Sequence, residues 1–262
     1  HHLAGRSRLR QSSLMRHLGQ SPSPAPWTCL LPSAPSAISP RTPPAHEHPV
    51  ANWRYPVALT PILVDGEAQN PPRILCIGRN YVAHIEELGN EVPEQMVVFA
   101  KPATAIADVL HSSLGGEALH YEGELAFTVQ GGEPAAVAFG LDLTKRALQS
   151  QLKEKGLPWE RAKAFDGAAL FSEFVTLEGS VDDLSLRLTV NGELRQEGGV
   201  ELMMYKPRDI LAELATFTSL LDGDIIMTGT PAGVGEVRPG DHFAAEVLLG
   251  AETLVKASWR AL

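Results

Sequence analysis

Cysteine is nearly absent: of 262 residues only Cys29 and Cys76 are cysteine, and they lie in unlike surroundings. Neither a disulfide framework nor a cysteine metal site is expected, and a reducing compartment fits. No uninterrupted apolar run approaches the roughly 20 residues of a membrane span, so no membrane partner is expected. Basic charge is also scarce. The 22 Lys and Arg face 31 Asp and Glu, and five of the bases are arginines within residues 1–46, which hold no acid. The remaining 17 bases against 31 acids leave residues 47–262 at a net −14. Such an acidic body lacks the basic face that nucleic acid requires, although a few placed bases can still dominate a cleft for a small anion. Nucleotide fingerprints are missing as well. "TGTPAGVG" (228–235) is glycine-rich but lacks the P-loop pattern, and "GRNY" does not make a dinucleotide motif. The Thr hydroxyls and backbone N–H groups of the glycine-rich stretch could still hold a carboxylate; a plain tight turn fits its spacing equally well.

What is present is an ordinary globular composition, 44% hydrophobic and 20% charged. Residues 1–50 are Pro/Ser/Ala-rich without helical or strand periodicity, which reads as a disordered tail. Its arginine-rich, acid-free character faintly resembles an organellar transit peptide; a tag remnant or translated upstream sequence are the blander alternatives. Residues 51–262 read as one domain. Strand patterns fall at "RILCIG" (73–78), "MVVFAKP" (96–102), "ALHYEGELAFTVQ" and "AVAFGLDLT" (136–144). Helices are read at "NYVAHIEELG", capped by Asn80 and stopped by Gly89, at "KRALQSQLKEKG", closed by Gly156, and at "PRDILAELATFTSLL". Asn191-Gly192 in "LRLTVNGELRQEG" marks a type I′ hairpin. Strands dominate and helices do not alternate with them, so the fold class is α+β, largely β.

The chemistry begins at "HYEGELAF". Glu122 and Glu124 share one face of a strand whose other face carries Tyr121, Leu125, Phe127 and Val129. Such a pair is usually a solvated edge. In "FGLDLT", however, Asp142 is the lone acid of a strand that otherwise looks buried, and a buried carboxylate is costly unless paired or ligated. Three carboxylates about 6 Å apart repel by roughly 3 kcal/mol per pair at an effective dielectric near 20. A divalent cation removes that penalty, and oxygen ligands suit Mg²⁺ or Mn²⁺; Lys145 and Arg146 are the alternative source of neutralisation. His84 and Glu87, at i and i+3, share a helix face. They are an ordinary surface pair, or, beside a metal site, an acid/base dyad.

Taken together, "CIGRNYVAHIEEL", "VVFAKPATA", "HYEGELAF", "GLDLTKRALQSQLKEKGLPWERAKAFDG", "LTVNGELRQEG" and "DIIMTGTPAGVGEVRPGD" resemble the small members of the fumarylacetoacetate hydrolase family. The resemblance implies a mixed β-roll, usually dimeric, so a homodimer is expected. It implies Glu122, Glu124 and Asp142 as ligands of Mg²⁺ (or Mn²⁺), His84 and Glu87 as the catalytic dyad, and Lys163 as an anion-stabilising base. Arg79, Tyr81, Arg146, Gln149 and Thr230 are implied substrate contacts. Two departures stand out. Relatives usually carry an acid after the arginine matching Arg146, where this chain has Ala147. The connection from Val129 to Phe139 is also short, which puts the placement of Asp142 in question.

The implied activity is Mg²⁺-dependent C–C hydrolysis of acylpyruvate-type 2,4-dioxo acids through a metal-stabilised enolate, as in aromatic-compound catabolism, with a small anionic 2-oxo acid as substrate. Oxaloacetate decarboxylation or tautomerisation, or isomerisation of 2-hydroxyhepta-2,4-diene-1,7-dioate, would use the same site. A non-catalytic binding member of the fold is the reading of another class. A cytoplasmic protein is expected, or a mitochondrial one if residues 1–46 form a transit peptide.

Overall fold

The computed structural model describes residues 58–89 and 91–262; the expected tail at 1–50 lies outside the described residues. The two largest of five sheets and four α-helices organise them. In spatial order the larger sheet runs Ala169–Phe171, Glu133–Asp142, Gly123–Gln130, Ile225–Met227, Arg73–Gly78 and Val97–Pro102, and Val175–Thr176 pairs alongside Glu133–Asp142. All its pairings are antiparallel except that of Ile225–Met227 with Arg73–Gly78, so the sheet is mixed. The smaller sheet is antiparallel, ordered Glu193–Gly199, Leu184–Val190, His242–Leu249, Glu252–Arg260. The result is the expected largely β roll.

Alternation builds the main core between the two sheets. Leu125 and Phe127 from one strand, with Val137, Phe139 and Leu141 from its neighbour, pack against Leu184, Leu186, Leu188, Phe243, Ala245 and Val247. The opposite face of the same two strands is also buried, but by small residues, Ala126, Ala136 and Ala138, against Ile74, Cys76, Ile225 and Met227. Gly140 belongs to that face; a Cβ there would meet the Met227 side chain at 2.9 Å and the Phe171 ring at 3.1 Å. Cys76 is buried and unbonded.

The four helices are α1 (Val82–Glu87), α2 (Arg146–Glu154), α3 (Glu160–Lys163) and α4 (Pro207–Leu214). Helix α2 ends before Gly156 (φ +63°), and the hairpin turns through Asn191 (φ +54°) and Gly192 (φ +81°), both as expected. Two expectations need correction. Asn80 does not cap α1. Its amide donates to the carbonyls of Tyr205 (3.0 Å) and Thr228 (2.8 Å) and accepts from the Tyr205 N–H, tying three segments together, while Tyr81 occupies the capping position without a side-chain bond. Helix α4 stops at Leu214 rather than running to Leu221. Thr216 and Thr218 are β-branched and Phe217 aromatic, all poor helix formers, and the Thr216 hydroxyl turns back onto the Glu213 carbonyl at 2.6 Å.

Candidate metal and acid/base site

The hairpin of Gly123–Gln130 and Glu133–Asp142 sets the geometry. Gly131 (φ +58°) and Gly132 (φ +79°) close it, with Gln130 opposite Glu133. The short connection is therefore a tight turn between neighbouring strands rather than a loss of support. A bulge follows, where pairing shifts between Thr128–Ala136 and Val129–Pro134. Beyond it Glu124 faces Gly140, and the Asp142 N–H donates to the Glu122 carbonyl at 2.8 Å. Glu122 and Asp142 thus stand opposite one another, Glu124 sits two residues along, and all three point to the same small-residue face. Their nearest carboxylate oxygens lie within 4.8 Å of one another, and all three residues are buried.

Three cations answer the triad. Lys163, on the last turn of α3, spends all three ammonium donors: on Glu122 Oε2 (2.9 Å), Asp142 Oδ2 (2.8 Å) and Thr144 Oγ1 (2.7 Å). Arg146 pairs with Glu122 and donates to Gln149 Oε1 at 2.9 Å. Lys101, fully buried on its strand, lies 2.7 Å from Asp142 Oδ1 and also donates to the Leu143 and Lys163 carbonyls. Lys145 is not part of this set; it pairs with Glu117 at 2.6 Å. Sequence reasoning missed Lys101, although the rule that found Asp142 applies to it: it is the lone charge in the apolar run "MVVFAKP".

The carboxylates feel these neighbours unequally. Burial would raise Glu122, but Lys163 and Arg146 outweigh it and hold the carboxyl well below the usual range. Glu124 is pushed the other way, by burial first and then by the Asp142 and Glu122 charges; its hydrogen bond from the Gly229 N–H (2.9 Å) offsets only part of this. Lys163 is raised: burial disfavours its charge, yet Asp142 and Glu122 prevail. A buried carboxylate short of positive charge, within an all-oxygen set of three, is a fit for a hard divalent cation.

Across the cavity stands α1. His84, buried, meets Glu87 at Nδ1–Oε2 3.2 Å, so the i, i+3 pair is formed. Glu87 is held in turn by the Gly233 N–H, 3.1 Å from both carboxylate oxygens. Gly233 is required there: its φ is +104°, and a Cβ would fall 1.8 Å from the Arg195 carbonyl oxygen. The glycine-rich stretch does hold carboxylates through its N–H groups, and they are the protein's own: Glu124 at one end and Glu87 at the other.

The cavity between the two walls is lined by the triad, His84, Ile85, Leu88, Arg79, Arg146, Gln149, Lys153, Trp159, Lys163 and Thr230, among others. Its volume is only about 30 Å³, room for a water or two. Arg79 enters this wall with φ +57°, a left-handed conformation uncommon outside glycine. Thr230 reaches the cavity, but its hydroxyl donates to the Gly123 carbonyl (2.8 Å) and accepts from Gln196 (2.7 Å). Tyr81 is not brought to the cavity. Its ring packs in the main core, and burial and the nearby Glu124 and Glu201 charges raise its hydroxyl. With Ala147 offering no carboxylate, Arg146 is supported by Glu122 and Gln149, and its Nε is buried without a hydrogen bond.

The family model described as fumarylacetoacetate (FAA) hydrolase C-terminal matches residues 73–257. A mitochondrial oxaloacetate tautomerase of Saccharomyces cerevisiae is 37% identical over 231 residues, covering 70% of this chain and 89% of the yeast protein. An oxaloacetate tautomerase of Escherichia coli is 38% identical over 190 residues, 65% of this chain and 86% of the bacterial one. Among solved structures, fumarylpyruvate hydrolase from Pseudomonas aeruginosa in complex with Mn²⁺ and pyruvate superimposes with a TM-score of 0.71 at 30% identity, covering 80% of this chain and 98% of that one.

Proposed function

Because the chain belongs to the fumarylacetoacetate hydrolase family, we propose that it is a divalent-metal-dependent oxaloacetate tautomerase, interconverting the keto and enol forms by moving one proton. The observation that carries this reading is a buried three-carboxylate set facing a histidine–glutamate pair across one cavity. The relatives' activities favour tautomerisation over the C–C hydrolysis that the sequence put first; the fumarylpyruvate hydrolase neighbour keeps hydrolysis as the second reading.

Glu122, Glu124 and Asp142 would hold the metal, which when bound supplies Lewis-acid polarisation of a 2-oxo carbonyl and its carboxylate. The chain's residues do the rest. With Nδ1 engaged by Glu87, Nε2 is the His84 nitrogen available to take the proton from the carbon beside the oxo group; conversion to the enol is complete when that proton reaches the oxo oxygen, and the reverse conversion carries it back to carbon. Glu87, fixed by Gly233, orients the ring and offsets its positive charge. Lys163 and Arg146 supply positive charge where the enolate oxygen develops. Lys163, bonded to Glu122, Asp142 and Thr144, would share the first two partners with a bound cation and stand beside the substrate. Three carboxylates against Lys101, Lys163 and Arg146 sum to zero, so a divalent cation leaves the site positive, suited to an anionic 2-oxo acid.

The test is keto–enol conversion of oxaloacetate with Mg²⁺, set beside cleavage of acetylpyruvate and repeated with EDTA. Fast, EDTA-sensitive tautomerisation with slow cleavage is expected; the reverse ranking replaces the reading with a hydrolase, and inertness toward both leaves a binding protein. The mitochondrial names of several relatives also favour the transit-peptide reading of residues 1–46. A reporter fused behind that segment should enter mitochondria; a diffuse reporter removes it.

A further inference from the structure

Helix α2 brings more than Arg146 and Gln149 to the cavity. Arg146, Gln149 and Lys153 sit at i, i+3 and i+7, one face of the helix, with Lys153 two turns from Arg146, about 10 Å along the axis. Arg146 is engaged beside the triad. Lys153 has no carboxylate and no hydrogen-bond acceptor among the described residues. It lies half-buried over the Trp159 ring, Nζ 4.9 Å from the centroid, and both side chains line the cavity. A ring holds an ammonium in place without neutralising it.

We infer that Lys153 is a specificity residue of this site, receiving the remote carboxylate of a four-carbon dicarboxylic 2-oxo acid whose 2-oxo carboxylate end is held at the triad. The inference rests on the proposed tautomerase reading and adds a residue that distinguishes a dianion from a 2-oxo monoanion. Its physical basis is a surplus of like charge. Partial burial first, and then repulsion from Arg79 and Arg146, lower the Lys153 ammonium to about 8, against the weaker pull of Glu122. A cation kept in such company without a partner is one that a second negative charge on the ligand would stabilise. A packing role, with the lysine stem merely covering Trp159, is the competing account.

The two accounts separate on oxaloacetate and its 4-ethyl ester, which keeps the 2-oxo acid end but loses the remote charge. Wild-type protein with Mg²⁺ is expected to favour the dianion in kcat/KM by about 10- to 100-fold, mostly through KM, the range of one charged hydrogen bond. In Lys153→Met, which preserves the stem over Trp159, the ratio should collapse toward one; Lys153→Arg should restore most of it. An equal fall for both compounds in Lys153→Met, or an undiminished preference for the dianion, overturns the assignment. Should wild-type protein tautomerise neither, the functional reading falls by itself. The same pair is then titrated calorimetrically into Mn²⁺-loaded protein: a wild-type preference for the dianion that Lys153→Met loses supports the subsite, and equal affinities overturn it.

Discussion

The two walls of the cavity are built in opposite ways. One is the Gly123–Gln130/Glu133–Asp142 hairpin, paired on both sides within the larger sheet and buried on both faces; the triad it carries is anchored by Lys101, Lys163 and Arg146. The other is α1, six residues long, with Val82 exposed and the Glu87 side chain 35% accessible. The Gly233 N–H holds the Glu87 carboxylate, while His84 is buried. The three carboxylates proposed as metal ligands sit on or beside paired, buried strands. The pair proposed to move a proton sits on the shorter, more exposed element, the kind that yields most easily. The glycine-rich stretch touches both walls, through Gly229 on Glu124 and Gly233 on Glu87.

This contrast orders the expected effects of substitution. Asp142→Ala should remove the site altogether, with calorimetric Mn²⁺ binding lost and turnover down by at least about 10³-fold; retained tight binding would mean the hairpin is not the metal wall. Lys101→Ala strips a buried partner from Asp142. It should destabilise by roughly 3–5 kcal/mol, a Tm drop on the order of 10 °C for a chain of this size, as read by calorimetry. On the α1 side, His84→Asn should lower kcat by about 10²- to 10⁴-fold while Mn²⁺ affinity stays as in wild type. A parallel loss of affinity there would erase the distinction between the walls. Gly233→Ala, whose Cβ collides with Arg195, should loosen Glu87. Faster hydrogen exchange at 82–88 and a kcat loss near 10-fold are expected; unchanged exchange would show that the latch is not what holds α1.

The smallest effect concerns pH. Lys153 is charged below about 8 and neutral above it, in the field of Arg79, Arg146, Lys163 and Glu122. Preference for oxaloacetate over its 4-ethyl ester should therefore be present at neutral pH and fade as pH rises through about 8. A ratio that stays flat to pH 9 would detach it from Lys153.

Much of the site was legible in the sequence because its chemistry is local. Period-two alternation put Glu122 and Glu124 on one face, and the i, i+3 spacing put His84 beside Glu87. Asp142 betrayed itself as a lone acid in an apolar strand. Other parts depended on contacts between segments far apart in the chain. Asn80 looked like a cap because asparagine often is one, yet its partners are Tyr205 and Thr228, more than a hundred residues away. Tyr81, a neighbour of Arg79 in sequence, turned into the core. Nothing in the sequence singles out Lys153; only the fold sets it over Trp159.

By itself the sequence determined which carboxylates exist, their parity along each strand, and where the hairpin turns through glycine. Whether Asp142 joins the glutamates was decided only in three dimensions, by the bulge between Thr128 and Val129. In the register at the turn, Gln130 with Glu133 and Val129 with Pro134, continued pairing would set Glu122 against Leu141 and send Asp142 to the opposite face. One extra residue, Ala135, shifts the pairing by a single step, and because side chains alternate with period two, that step turns three separate acids into one site.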